Sequence, residues 1–306
     1  MNKKRVLLSG ANGYIALHLA NWLRNNNYHV LTAARDGSGD LHMDFSRPNQ
    51  VATDSVSGID AMIHTVSPNE TLYKTDTYSA LSESVTGIHA ALDFCTHNEI
   101  RKFIYISSFH VMGNQSGRLS ELSPIAPHND YGLAHAIAEQ TVQMYNRIKQ
   151  LDGWVIRPSN VFGVPADRDK FKRWNLIPFL FCREAIERGT ITLLTTGSQL
   201  RNFVGVTDVC RNIQWILDNE PAERIIHAYG QDTLSVYQYA LLVQKVARER
   251  YGRTVSIIRP EGSNSVSEFE FTSCCSIPEL APRDNLETFV MDMLGVYHDL
   301  VSTNSF

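Results

Sequence analysis

Apolar residues over the first 160 positions alternate between two rhythms. Short, nearly unbroken apolar runs have the length and character of buried strands: Val6-Leu7-Leu8, His29 to Ala33, Ala61 to Thr65, Lys102 to Ser107 and Trp154 to Pro158. Between them, apolar residues recur at three-and-four spacing. Ile15, Leu19, Trp22 and Leu23 predict a helix after the first strand, and further helices are predicted over about 77–97 and 131–150. Continuous apolar strands separated by helices imply a parallel sheet covered on both faces. The expectation is therefore a doubly wound α/β fold.

The rhythm breaks near residue 161, with Pro165, Pro178 and a mixed-charge loop from Arg168 to Trp174. A short strand pair is expected around Ile191–Leu194 and Arg201–Val206, and Arg224–Ala228 reads as one more sheet strand. Helices are expected near 235–250 and 286–300. This divides the chain into a sheet domain over 1–160, completed by about 203–230, and a smaller C-terminal lobe from 161–202 and 231–306.

The strand-to-helix turn Ser9-Gly10-Ala11-Asn12-Gly13-Tyr14-Ile15-Ala16 changes this from a generic α/β picture to a Rossmann-type one. Gly10 and Gly13 permit a tight turn and close approach of a pyrophosphate, and the helix start supplies free amides and positive potential. Ala16 is small enough to serve helix–strand packing where a third glycine often lies. The second strand ends Thr32-Ala33-Ala34-Arg35-Asp36. Ala34 stands where an acid would bind the adenosine ribose, and the Arg35 guanidinium suits a 2′-phosphate. NADP(H) is thus preferred and NAD(H) stays possible, with Asp36 as an alternative ribose ligand or Arg35 simply solvated.

Composition narrows the partners. Hydrophobic residues make up 43%, the net charge is −4, and no long basic run occurs, which argues against nucleic acid or an anionic membrane surface as a general partner. No stretch approaches the roughly 20 apolar residues of a membrane span, and a cytoplasmic location is expected. The five cysteines, Cys95, Cys182, Cys210, Cys274 and Cys275, lack metal spacing and read as buried reduced thiols, with no metal site expected.

Four further segments make a likeness recognisable. Ser107-Ser108-Phe109-His110-Val111-Met112-Gly113, Tyr131-Gly132-Leu133-Ala134-His135, Arg157-Pro158-Ser159-Asn160-Val161-Phe162-Gly163 and Gly197 to Asp208 occur in this order. With the glycine loop, the chain resembles the extended short-chain dehydrogenase/reductase superfamily, in its NAD-dependent epimerase/dehydratase branch, over essentially its whole length. The resemblance implies that Tyr131 exchanges a proton with a substrate oxygen that Ser108 also hydrogen-bonds. It implies cofactor contacts from Gly10, Asn12, Gly13, Tyr14, Ile15, Arg35, Asp44, Phe45, Thr65, Ser107, Tyr131, His135 and Pro158. It further implies a nucleotide-sugar substrate held by Ser108, His110, Asn160, Asn175, Leu176 and Arg201, with Arg201 on the diphosphate, Lys172 or Arg173 as a second cation, and Trp174 either stacking on a base or anchoring its loop. A homodimer through the helices near 77–97 and 131–150 is the family expectation.

The departures decide the expected chemistry. Met112 replaces a tyrosine, Asn202 an aspartate and Ser84 an asparagine of the family pattern. Phe109-His110 stands where dehydratases carry an Asp-Glu pair, so sugar dehydration is not expected; His110 is either an extra proton donor or pocket lining. His135 replaces the catalytic lysine, four residues after Tyr131 and on the same helix face. An imidazole titrates around 6.5 against about 10.4 for lysine, so His135 is expected to be largely neutral at neutral pH unless the site raises its pKa. Lowering a tyrosine pKa helps most when tyrosine acts as a base, so this exchange fits carbonyl reduction better than alcohol oxidation. The expected activity is NADP(H)-dependent reduction of a nucleotide-linked 4-keto sugar. The alternatives are a 4-epimerase with retained cofactor and a non-catalytic dinucleotide-binding protein.

Overall fold

Each apolar run of the first half is a strand in the computed structural model, which describes residues 3–48, 51, 56–68, 70–113, 116–262, 268–275 and 277–303. The first half runs β1 (Arg5–Ser9), α1 (Tyr14–Asn25), β2 (His29–Ala34), β3 (Leu41–His42), β4 (Ala61–His64), α2 (Glu70–Thr75), α3 (Thr77–His97), β5 (Lys102–Ile106), β6 (Gly117–Leu119), α4 (Asp130–Arg147) and β7 (Asp152–Pro158). The second half runs β8 (Asn160–Phe162), α5 (Ile177–Glu187), β9 (Thr190–Thr192), β10 (Leu200–Gly205), α6 (Val206–Asn219), β11 (Ile225–Ala228), β12 (Asp232–Ser235), α7 (Val236–Tyr251), β13 (Ser256–Ile258), β14 (Phe269–Phe271) and α8 (Leu286–Thr303).

Seven strands form one parallel sheet in the order β11-β7-β5-β4-β1-β2-β3. The chain winds outward from β1 to β3 and then restarts at β4 on the other side of β1. That reversal opens a crevice at the carboxyl ends of β1 and β4. Alternate side chains supply the two faces. Val6, Leu8, Ile63, Ile104 and Ile156 pack on Leu19 and Leu23 of α1 and on Ile213 and Ile216 of α6. Leu7, Met62, Phe103 and Val155 pack on Ile88 and Leu92 of α3 and on Val142 and Tyr145 of α4.

In the second half β11, α7 and α8 lie where a strand and two helices are expected, and the departures fall between them. The stretch after 161 contains α5, whose Pro178 sits in the first turn, where proline lacks nothing the helix needs. The expected pairing of the segments near 191–194 and 201–206 does not form. Instead β9 pairs with β13, while β10 lies between β8 and β12. Within 203–230 it is β11 that joins the main sheet. A second apolar cluster joins Phe179 and Cys182 of α5, Tyr239 and Val243 of α7, and Val290, Met293 and Leu294 of α8.

Cys95, Cys182 and Cys210 are buried free thiols, but Cys274 is exposed and Cys275 half-buried, against expectation. Both lie beside Glu121, whose carboxylate accepts from His227 N, Ser273 Oγ and Cys274 N and so clamps the loop after β14. Among the described residues no helix is long and apolar enough to cross a membrane.

Candidate active site

The crevice begins where β1 ends. Gly10 turns the chain at φ +72°, and a Cβ there would stand 2.5 Å from Thr65 Oγ1, so only glycine fits. Gly13 N donates to Gly10 O at 2.8 Å and closes the loop. Gly13 caps α1 with no side-chain hydrogen bond to its first turn, which leaves the amides of Tyr14 and Ile15 at the positive end of the helix for an anion. Thr65 Oγ1 donates to Ser9 O at 2.7 Å and fixes β4 against this turn.

Asn12 holds the loop to the end of β2, donating to Asp36 Oδ2 at 2.9 Å and to Ser38 Oγ at 2.7 Å. Asp36 is thus engaged by Ser38 and Asn12, whose hydrogen bonds hold its carboxyl below the usual range. Arg35 is exposed, and among the described residues no carboxylate pairs with its guanidinium. The Tyr14 side chain is committed elsewhere. Its hydroxyl donates to Gly163 O at 2.9 Å and its ring packs edge-on against Phe171 and Phe179. Only the Tyr14 amide remains for a phosphate. Asp44 caps its own turn through Ser46 N and Oγ, Phe45 is buried with its ring against His64, and Pro158 ends β7 opposite Ala228.

The candidate catalytic serine follows β5. Ser108 is extended (φ −151°, ψ 148°) and opens a 3-10 turn over Phe109–Met112, its Oγ accepting from His110 N at 3.3 Å. Asn129 Oδ1 accepts from Gly132 N at 2.7 Å, starts α4 and sets Tyr131 in its first turn. A Cβ on Gly132 would lie 2.4 Å from His110 O, so glycine lets α4 close onto the serine turn. The Tyr131 ring meets those of His135, His110 and Tyr73 edge-on at 4.5, 5.6 and 5.8 Å. Ser84, the asparagine replacement, shares a 2.7 Å hydrogen bond with Tyr73.

His135 is 3% exposed. Its Nδ1 lies 2.7 Å from the Tyr105 hydroxyl, and its Nε2 has no partner among the described residues. Burial, with the charges of His110 and Arg173 adding to it, lowers the imidazole pKa to about 3. The site therefore pushes His135 away from the charged form and does not rebuild the lysine cation. Behind it runs a continuous row: Ser9 Oγ bonds His64 Nδ1 at 2.8 Å, His64 stacks on Tyr105 at 6.2 Å, and Tyr105 meets His135. Strand register sets the row, since Ser9, His64 and Tyr105 are direct neighbours across β1, β4 and β5.

Beneath the serine turn lies a charge pair that sequence reasoning passes over. Glu139 and Arg157 are 0% and 1% exposed, joined by Nε–Oε1 at 2.9 Å and Nη2–Oε2 at 2.6 Å. Ser107 Oγ donates to Glu139 Oε1 at 2.6 Å, so Ser107 supports the strand end. The available signal is spacing: Tyr131, His135 and Glu139 follow at four-residue steps on one helix face.

On the proposed sugar side, Asn160 Nδ2 donates to Asn202 O at 2.9 Å. Asn202 is buried and uses both ends of its amide, accepting from Ser159 Oγ and Gly230 N and donating to Gly230 O and Thr233 Oγ1. Arg201 is half-buried, bonds Leu200 O, and has no carboxylate partner among the described residues. Asn175 is exposed and Leu176 caps α5. Trp174 is half-buried and packs edge-on against Phe171 and Tyr297 at 4.6 and 5.9 Å, contacts that anchor its loop.

The fold and crevice define a Rossmann-type α/β protein built around a dinucleotide site. Residues 6–228 match the NAD dependent epimerase/dehydratase family, and the chain belongs to that family. It is 20% identical over 265 residues to an uncharacterized UDP-glucose epimerase, YtcB, of Bacillus subtilis, spanning 79% of this chain and 82% of that one. It is 28% identical over 196 residues to a dTDP-glucose 4,6-dehydratase of Streptomyces niveus, spanning 63% of this chain and 56% of the relative. Among solved structures, it is similar to the dTDP-glucose 4,6-dehydratase DesIV of Streptomyces venezuelae with NAD bound (TM-score 0.80, 18% identity, 98% of both chains). It is also similar to RMD of Pseudomonas aeruginosa complexed with NADPH (TM-score 0.78, 15% identity, 97% of this chain and all of the other).

Proposed function

We propose that the protein is an NADP(H)-dependent reductase of a nucleotide-linked 4-keto sugar. The observation that carries this reading is the buried, neutral His135 in the family's lysine position. An ammonium there draws a tyrosine toward phenolate, the form that begins alcohol oxidation; a neutral imidazole leaves the phenol as a proton donor. Arg35 would take the adenosine 2′-phosphate, the Tyr14 and Ile15 amides the pyrophosphate, and His135 Nε2 with Tyr131 the nicotinamide ribose. The orphaned Nε2 and the glycine cradle both fit such a group. When bound, the cofactor supplies the hydride. Tyr131 gives its proton to the carbonyl oxygen, which the Ser108 hydroxyl holds in place. Arg201, a half-buried cation with no carboxylate partner among the described residues, would grip the diphosphate, with Asn160, Asn175 and Leu176 around it. Phe109-His110 provides no carboxyl pair for expelling water, which weighs against dehydration. The outward faces of α3 and α4, carrying exposed Tyr78, Val85, Leu133 and Met144, are the proposed contact of a homodimer, to be read by light scattering.

The test mixes the protein with NADPH and nucleotide-linked 4-keto sugars and follows loss of NADPH. Stoichiometric oxidation is expected, and Tyr131→Phe should lose about 10²–10⁴-fold in rate while still binding NADPH. Interconversion of sugar epimers without net cofactor change would make the protein an epimerase. Cofactor binding without any sugar affinity would make it a sensor.

A further inference from the structure

The described contacts leave His135 with one engaged ring nitrogen and one unpaired, both buried. A neutral imidazole carries a single N–H, so the partner of Nδ1 decides what Nε2 can do. We propose that Tyr105 is a positioning residue: its hydroxyl donates to His135 Nδ1 and locks the imidazole in the Nε2–H form, leaving one fixed neutral donor beside Tyr131. The proposal rests on the reading of His135 as a ribose ligand and extends it to a residue of the sheet interior.

The hydrogen-bond inventory favours this direction. Tyr105 is 3% exposed, and among the described residues the partner of its hydroxyl is His135 Nδ1. Each direction leaves one buried donor unmet: were Nδ1 the donor, it would be the phenol proton, which has no other acceptor among the described residues. With the phenol donating, the single unmet donor is Nε2–H, and a ribose hydroxyl can satisfy it. Burial raises the Tyr105 pKa well above the ordinary value, so the phenol has a proton to give.

Rigidity follows from the row behind it. His64 stacks on Tyr105 and is tied to Ser9, the last residue of β1 before the phosphate turn. One strand row thereby fixes both the turn that receives pyrophosphate and the donor offered to the far ribose. A lysine would reach its target on a flexible stem; this imidazole is aimed by its support.

Nitrogen-15 NMR of histidine-labelled full-length protein tests the idea without cofactor, the His135 signals being assigned by their loss in His135→Ala. At neutral pH the wild type should show a protonated Nε2 and a bare, hydrogen-bonded Nδ1; an Nδ1–H form overturns the proposal, whatever the variants do. Tyr105→Phe keeps the ring and should shift His135 toward a mixture of the two forms. The same variant should weaken NADPH binding by about three- to tenfold, the worth of one ordinary hydrogen bond. In the His135→Ala background Tyr105→Phe should change NADPH affinity no further; an equal loss there means Tyr105 acts on general packing and overturns the proposal. If the form shifts as expected but no variant or wild type binds NADPH, the positioning role stands and the cofactor reading falls.

Discussion

Removing Glu139 should expose how much the site depends on a charge pair it never presents to a ligand. Glu139→Ala strips Arg157 of two hydrogen bonds, at 2.9 and 2.6 Å, and strips Ser107 of its acceptor. Arg157 Nη1 already has no partner among the described residues, so the guanidinium would be left buried without a counter-charge. Breaking such a pair from one side costs about 3–5 kcal/mol. Unfolding entropy near 2.1 cal/mol/K per residue, over a chain of 306 residues, turns that into a fall in Tm of roughly 5–8 °C. Urea unfolding followed by tryptophan fluorescence should show a lower midpoint with an unchanged slope. The diagnostic partner is Glu139→Leu with Arg157→Met, which removes both charges and keeps the volume, and it should recover most of the loss. A cost under about 1 kcal/mol for Glu139→Ala, or a double variant as unstable as the single, would refute the reasoning.

Three other outcomes are expected. His64, His135 and His227 have folded pKa values lowered by burial to about 3, 3 and 4 from 6.5. The unfolded chain binds these protons first, so stability is complete above about pH 6.5 and falls toward pH 3–4, by about 1.4 kcal/mol per pH unit for each histidine. Chemical denaturation between about pH 6.5 and 5, above the carboxylate range, reads this slope, and a flat profile contradicts it. Asn202→Asp, although it restores the residue of the family pattern, replaces the donor to Gly230 O and Thr233 Oγ1 with a second acceptor; a loss of about 1–3 kcal/mol is expected in thermal unfolding, and a gain would be evidence against the amide hub. Gly10→Ala should cost about 1–2 kcal/mol in stability from the left-handed backbone alone, with NADPH affinity falling too because the added methyl meets Thr65; unchanged titration calorimetry would discount the cradle.

The main sheet is legible because its strands are buried on both faces and need no alternation to be found. Runs such as Phe103-Ile104-Tyr105-Ile106 announce themselves by continuous apolarity. The elements that escape are those whose signal is mixed with a neighbour's. In α5, Ile177-Pro178-Phe179-Leu180-Phe181-Cys182 is apolar on all sides and carries a proline, so no helical period stands out, although that proline belongs in a first turn. In α6, Val209, Cys210, Ile213, Ile216 and Leu217 keep the three-and-four spacing, but the helix follows the strand-like Phe203-Val204-Gly205 without a turn. The pairings β9 with β13 and β6 with β14 join three-residue strands far apart in sequence, where no local pattern selects a partner. The candidate site divides the same way. Ser108, Tyr131 and His135 sit in local motifs and can be named from them. Tyr105, His64 and Glu139 look like core residues until α4 is laid over β5 and β7, because their chemistry exists only between elements.

Tyr14 ties two functions to one joint. It begins the helix whose uncapped first-turn amides open on the crevice, yet its hydroxyl and ring belong to the cluster around Gly163, Phe171 and Phe179. The start of α1 and the wall formed by Phe171 and Phe179 therefore share one residue, and a smaller side chain at this point would loosen both at once.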